Sequence, residues 1–337
     1  MRVGLTYDLR DDYRAMGFSE EALAEFDSPE TIAAIEDTLT GLGYQTDRIG
    51  HIRHLAARLV AGESWDLVFN IAEGLSGRSR EAQVPALLEA YGIPYVFSDP
   101  LTQAVTLDKA VAKRLVRDAG VPTAPFVVLE TDADARACTL PYPLFLKPVA
   151  EGTGKGCTRA SMVRRQKDLV TTARSLRVRF AQPAIAEPYL PGREFTVGVV
   201  GNGAQARVIA VLEIILLANA EAGVYSYDNK ELCESRVVYR LADDAEARAA
   251  GASALAAYRT LGCRDASRLD FRSDAQGVPQ FLEVNTVAGL HPTHSDLPIL
   301  ASQAGMDYPA LIGEIMAAAI QRTGVGHAGE AARHAAR

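Results

Sequence analysis

Apolar and polar positions follow two different rhythms along the chain. Residues 2–8 form a short apolar run of the kind that makes a buried strand. Residues 31–42 put Ile32, Ile35, Leu39 and Leu42 on one helical face, with Ser28 as the N-cap. A second apolar strand is expected at 66–71, a helix at 81–91, a short strand at 94–97, and a helix at 108–119 ended by Gly120 and Pro122. Strand and helix patterns in alternation predict βαβ units, hence a parallel sheet covered by helices. From residue 144 the rhythm changes. A strand at 144–147 runs into a glycine-rich segment, followed by a strand and a helix near 167–176. Short strands broken by Pro191-Gly192 and Asn202-Gly203 fill 184–240 and predict an antiparallel sheet. Helices follow at 244–261 and at 307–322, the latter anchored by Leu311, Ile312 and Ile315. Residues 324–337 carry no apolar period and are expected to be a flexible tail.

Composition narrows the class. The 337 residues are 48% hydrophobic and 23% charged, enough for two or three domains with real cores. A net charge of -7 argues against nucleic acid or an anionic membrane as the main partner. The longest apolar stretch, 208–220, is short and carries Glu213, so no membrane span is expected. No basic segment followed by an apolar one precedes the first strand, and Cys138, Cys157, Cys233 and Cys263 show no paired spacing. Both features suggest a cytoplasmic protein with reduced thiols. Only six of the 35 basic residues are lysine: Lys109, Lys113, Lys147, Lys155, Lys167 and Lys230. Either a compact ammonium is needed at those positions or codon usage accounts for the bias.

The most informative stretch pairs residues 267–272 with 280–285 around turn residues 274–277, an antiparallel hairpin. With Asp270 opposite Glu283, Leu269 faces Val284, Phe271 faces Leu282, and Arg268 faces Asn285. One face then carries Leu269, Phe271, Leu282 and Val284; the other carries Arg268, Asp270, Glu283 and Asn285. Two carboxylates directly opposite each other, about 5 Å apart at Cβ, repel. A hard divalent cation removes the repulsion, and these oxygen donors suit Mg²⁺. The competing reading is a solvated face neutralised by Arg268.

Lys147 ends a strand just before Glu151-Gly152-Thr153-Gly154-Lys155-Gly156. Such a loop can fold its N–H groups over phosphates beside an ammonium, or simply be a surface hairpin. It is neither a P-loop nor a dinucleotide fingerprint, since no helix opens on it in the required pattern. Glu187 precedes a Pro-Gly break, where a loop carboxylate could accept from ribose hydroxyls or merely face solvent.

These pieces occur in a distinctive order: Leu107-Asp108-Lys109, Phe145-Leu146-Lys147-Pro148, the glycine-rich loop, Glu187, Gly192-Arg193-Glu194-Phe195, Leu261-Gly262-Cys263-Arg264, Arg268-Leu269-Asp270, Leu282-Glu283-Val284-Asn285-Thr286 and Gly289. From about residue 66 to 322 the chain resembles the ATP-grasp ligases, and within them the D-alanine–D-alanine ligases. The resemblance implies an α/β fold, α+β in its later part. A Rossmann-like parallel-sheet domain would cover 1–100, a central lid domain 101–183, and an antiparallel-sheet domain 184–323. ATP would lie between the last two. Lys109, Lys147 and Lys230 would contact its phosphates, and Glu151, Gly152, Thr153 and Gly154 would close over them. Glu187, Leu190 and Glu194 would meet adenine and ribose. Asp270, Glu283 and Asn285 would hold two Mg²⁺ ions, with Mn²⁺ as a substitute. Arg268 and the Gly289 backbone would stabilise an oxyanion. A homodimer acting on amino-acid-like substrates is also implied.

The chemistry so implied is an acyl phosphate made from a carboxylate and ATP, then captured by an amine. A kinase on the same nucleotide site, or a binding module without catalysis, are the alternatives. Several positions depart from the family pattern. Glu73-Gly74 stands where His-Gly is usual, Lys230-Glu231 where Lys-Tyr is usual, and Thr153 replaces a loop serine that partners that tyrosine. The segment His291-Pro292-Thr293-His294-Ser295-Asp296 is more charged than its usual counterpart. Glu73, Glu231, His294 and Ser295 are therefore candidate substrate residues. The added carboxylates favour a substrate with an extra cationic or donor group over plain D-alanine; the alternative is that both acids pair with Arg80 or Arg10 and leave the pocket neutral.

Overall fold

Three strands, β1 (Arg2–Thr6), β2 (Gln45–Gly50) and β3 (Leu67–Asn70), form a parallel sheet in the order β2-β1-β3. This is a computed structural model, and it describes residues 1–221, 229 and 232–325. The helix Pro29–Gly41 starts as expected, with Ser28 Oγ accepting from the Thr31 N–H. Strand β2 and the helix Ile52–Val60 were not anticipated. Strand β2 is mostly polar and only its last two residues are buried, so it lacks the period-2 alternation that marks a half-buried strand. Residues 94–97 make only a single bridge, Val68 to Tyr95, rather than a strand.

The central part is antiparallel. Strands β4 (Val127–Leu129), β5 (Leu144–Pro148), β6 (Met162–Val163) and β7 (Ala184–Pro188) run in the order β4-β7-β5-β6. The helix Gln166–Phe180 packs on this sheet through Leu169, Ala173 and Leu176. Strand β7 lies just past residue 183 yet pairs residue by residue with β5, so the first of the strands in 184–240 belongs to the central sheet.

The last sheet contains β8 (Glu194–Val200), β9 (Arg207–Leu216), β10 (Val237–Leu241), β11 (Ala266–Ser273) and β12 (Pro279–Asn285). Its order is β10-β9-β8-β11-β12, all antiparallel. The Ala-rich helix Ala245–Thr260 covers one face. The apolar run near 208 is therefore a sheet strand. Among the described residues no helix is long and apolar enough to cross a membrane. All four cysteines are free thiols.

Two cores matter for the site. One joins the N-terminal sheet to the C-terminal part: Val3, Leu5, Ile35 and Leu39 pack with Val200, Ala266, Leu297 and Ile312. The fully buried Asp265 reinforces the joint, accepting from the Phe97 N–H (2.8 Å), Asn202 Nδ2 (3.0 Å) and Arg322. The central sheet has a core of its own, built from Leu129, Leu144, Leu146, Leu169 and Ala184 among others.

The β11–β12 hairpin keeps most of its expected register. Arg268 pairs with Asn285, Leu269 with Val284, and Asp270 with Glu283. Beyond Asp270 the ladder shifts, and Phe271 faces Phe281 rather than Leu282. The extra residue is Leu282, a bulge that turns its side chain out of the core. Phe281 takes the inner place, edge-on to Phe271 at 5.8 Å between ring centres.

Candidate active site

One end of the candidate site is built from four neighbouring elements. Lys147 sits near the end of β5, and Glu187 lies on the adjacent strand β7. Lys109 opens the helix Lys109–Asp118, whose N-cap Asp108 accepts from the N–H groups of Ala110 and Val111. Glu283 on β12 reaches both lysines: 3.4 Å to Lys109 Nζ and 3.8 Å to Lys147 Nζ. Burial alone would depress the Lys147 ammonium, but Glu187 and Glu283 outweigh it and hold it above its usual value. Lys109 also donates to the Glu151 carbonyl at the lid. Of the six lysines, Lys109, Lys113, Lys147 and Lys155 are all buried around this site, while Lys167 is exposed.

Glu187 requires a correction. It is a buried strand residue, not a loop acid, and its partners are Lys113 Nζ at 2.6 Å and Lys147 Nζ at 3.6 Å. Beside it, Phe145, Pro148, Leu190 and Leu282 supply apolar walls to a cavity that Glu194, Tyr189 and Arg272 close at one edge. Arg272 binds Glu194 at 3.2 Å and Tyr189 Oη at 2.9 Å. Leu190 and Glu194 line the same cavity. Leu282, assigned to the core, instead faces this cavity because of the bulge.

On the polar face of the hairpin Arg268 binds both oxygens of Asp270, at 3.2 and 3.1 Å, and Asp296 Oδ2 at 3.2 Å. Asp270 also accepts from Thr196 Oγ1 at 2.8 Å and from Asn285 Nδ2 at 3.5 Å. Asp296 was overlooked as a partner; its only signal was the charge of the 291–296 segment. Among the described residues no group of three or more His, Cys, Asp or Glu side chains forms a ready-made metal cage. The candidate set is two carboxylates and one amide on facing strands. Such hard oxygen donors fit Mg²⁺, which keeps waters and completes its shell on substrate phosphates.

A second cavity of about 430 Å³ adjoins this centre, sharing Lys109, Glu283, Asn285 and Arg268 with it and reaching the N-terminal part. The lid borders it. The Gly152 N–H donates to Glu25, and Lys155 binds Glu25 at 3.0 Å and Glu151 at 2.5 Å. Arg80 holds the same Glu25 at 2.8 Å. Thr153 and Gly154 both take the left-handed backbone at φ 51 and 72, which makes the loop turn sharply. Gly289, His294 and Ser295 line the opposite wall. A Cβ on Gly289 would fall 2.7 Å from Ser295 Oγ, so a side chain there would collide. His294 Nδ1 lies 3.8 Å from Cys233 Sγ and 3.7 Å from Glu234. Lys230 and Glu231 lie outside the described residues.

Glu73 lines the N-terminal wall together with Asp27 and Glu81, two acids the sequence reading missed. Among the described residues none of these three carboxylates makes a hydrogen bond or an ion pair. Burial raises all three: Asp27 and Glu81 to about 7, and Glu73, further pressed by Glu81 and Glu25, well above the usual carboxylate range.

A cleft between two antiparallel sheets, with buried lysines and facing carboxylates, belongs to an ATP-grasp enzyme of the carboxylate–amine ligase class. The family model described as "D-ala D-ala ligase C-terminus" matches residues 115–317. A D-alanine–D-alanine ligase of Bordetella petrii is 35% identical over 271 residues, 79% of each chain. The uncharacterized protein y4sG of Sinorhizobium fredii is 34% identical over 264 residues, 76% of this chain and 75% of that one. The solved D-alanine–D-alanine ligase from Bacillus anthracis, complexed with ATP, matches with a TM-score of 0.72 at 20% identity, over 96% of this chain and 98% of that one. The chain belongs to the D-alanine–D-alanine ligase family.

Proposed function

We propose that the enzyme activates a substrate carboxylate with ATP and joins it to an amine, releasing ADP and phosphate. The observation that carries this reading is the position of Glu283. It touches Lys109 and Lys147 on the nucleotide side and lies opposite Asp270 where the second cavity begins. Adenine occupies the cavity walled by Leu190 and Leu282, and Glu194 meets the ribose. Lys109 and Lys147 face the phosphates. Asp270, Glu283 and Asn285 would hold Mg²⁺, which supplies charge neutralisation for phosphoryl transfer. The substrate carboxylate displaces ADP from the γ-phosphorus. The amine then attacks the acyl carbon, and Arg268 with the Gly289 N–H meets the charge that develops on the carbonyl oxygen. The lid at Glu151–Gly154 keeps water from the activated acyl group. ATP dependence fits a cytoplasmic setting, and a homodimer is the assembly to look for by light scattering.

The test is chemical. With ATP, Mg²⁺ and an amino-acid panel, hydroxylamine should capture the acyl phosphate as a hydroxamate, and phosphate should appear with ADP. A stable phosphorylated product without free phosphate would identify a kinase and overturn the ligase reading.

The acidic chamber bears on the substrate. Among the described residues these three carboxylates make no ion pair, and the nearby Arg10 and Arg80 only partly offset the rise that burial imposes on them, so we infer a substrate with a second cationic group, such as a diamino acid. ADP release should then be faster with diamino acids than with D-alanine. D-Alanine turning over as well as any diamino acid would remove this inference and leave the ligase chemistry intact.

A further inference from the structure

Unlike Lys109 and Lys147, buried Lys113 has no place in the catalytic scheme, and unlike Lys155 it does not hold the glycine-rich loop. It sits one helical turn beyond Lys109, and none of its side chain reaches solvent. An ammonium has three N–H groups and no acceptor. Here Nζ meets three oxygens on three separate segments: Glu187 Oε1 at 2.6 Å, Phe281 O at 2.7 Å and Thr123 Oγ1 at 2.8 Å. A methionine would fill the space, but only a compact cation satisfies three converging acceptors, one of them an anion.

The two oxygens of Glu187 are used unequally. Oε1 is in tight contact with Lys113, whereas Oε2 stands 3.6 Å from Lys147 Nζ. A buried carboxylate with a single nearby cation draws that cation into contact. With Lys113 present, Glu187 is already matched, and Lys147 is left loosely held between Glu187 and Glu283, able to turn to an incoming phosphate.

We propose that Lys113 is a positioning residue: by occupying Glu187 it keeps Lys147 available to the phosphates of ATP, without touching the nucleotide itself. The proposal rests on the reading of this cleft as the ATP site, and its test separates the two. Binding of ATP and of adenosine is measured by calorimetry on wild type, Lys113→Met and the double variant Lys113→Met/Glu187→Gln. In Lys113→Met, Lys147 collapses onto Glu187, and ATP binding weakens by about tenfold or more, the loss of one charge-assisted contact. Adenosine, which makes no phosphate contact, changes by less than about threefold on the same reasoning. The double variant removes the captor, and its ratio of ATP to adenosine affinity recovers most of the way to wild type, with adenosine reporting any contact that Glu187 makes to the nucleoside. If Lys113→Met does not fold, Lys113→Gln replaces it: its amide can still donate to Thr123 and Phe281 but carries no charge, and the same losses are expected. ATP binding as tight as wild type, equal weakening of ATP and adenosine, or a double variant no better than the single would each overturn the proposal. A wild type that binds no ATP would overturn the cleft assignment and this proposal with it.

Discussion

The acidic chamber makes the ligand-free protein sensitive to base in a calculable way. Asp27 is an ordinary carboxylate in the unfolded chain, near 4, and burial pushes it to about 7 in the folded state, with Asp8 adding to the rise and Arg10 opposing it. Between those values the native state binds more protons than the unfolded one. Stability from this group is therefore full at low pH and is lost as pH climbs through the folded value. Taking the pH from 6 to 8 should cost about 1.4 kcal/mol for Asp27 alone, since native protonation falls away while the unfolded chain is already ionised. For a chain of this length that corresponds to a melting point about 2 °C lower. Glu81, also raised to about 7, and Glu73 act with the same sign. The assay is thermal and urea unfolding at both pH values for wild type and Asp27→Asn. The difference between the two proteins isolates Asp27 from the histidines, whose titration is common to both. The variant should be less affected by the pH step, by roughly that 1.4 kcal/mol. An equal pH loss in the two proteins would refute the chamber's electrostatics, as would a wild type that gains stability from pH 6 to 8. A diamino acid should protect the wild type more at pH 8 than at pH 6.

Other expectations concern the hairpin and its charges. Leu269 is fully buried against the helix Ala245–Thr260, so Leu269→Ala should destabilise the fold by about 2–5 kcal/mol in urea titrations; a loss below 1 kcal/mol would contradict the assigned face. Arg268→Met should lower kcat by about 10²–10³ while leaving the KM for ATP within a few fold; an effect confined to that KM would place Arg268 on the nucleotide instead. Chelation of divalent ions should abolish ADP release, and Asp270→Asn should raise the Mg²⁺ concentration needed for half-maximal activity. Unchanged Mg²⁺ dependence in that variant would remove Asp270 from the metal set.

The β11–β12 hairpin was legible because its alternation is strict on both sides of Asp270 and Glu283. The bulge was not, because an extra residue changes the pairing without changing the local pattern: Phe281 and Leu282 are both apolar, and either can be read inward. Strand β2 escaped notice because it is polar at most positions. Glu187 read as a loop acid since the following Pro188 and the Pro191-Gly192 break resemble turn chemistry, whereas its burial comes from pairing with β5, some 40 residues earlier in the chain. Lys113 carried a usable signal, a lysine four residues after Lys109 in an arginine-rich chain. Asp27 and Glu81 carried none, since what makes them notable is burial without an ion pair among the described residues, which only the fold reveals.

The shared N- and C-terminal core also limits how the cleft can open. Helix and strand residues from the first and last parts interlock in one apolar mass clamped by Asp265 and Arg322, while the central sheet keeps its own separate interior. Entry of nucleotide and departure of ADP should therefore swing the middle segment, with its glycine-rich flap, against a stationary body formed by the two ends. The contacts broken in each cycle would include the polar ones that Glu25 makes to Gly152 and Lys155, that Arg80 makes to the Ala150 carbonyl, and that Arg179 makes to Glu21.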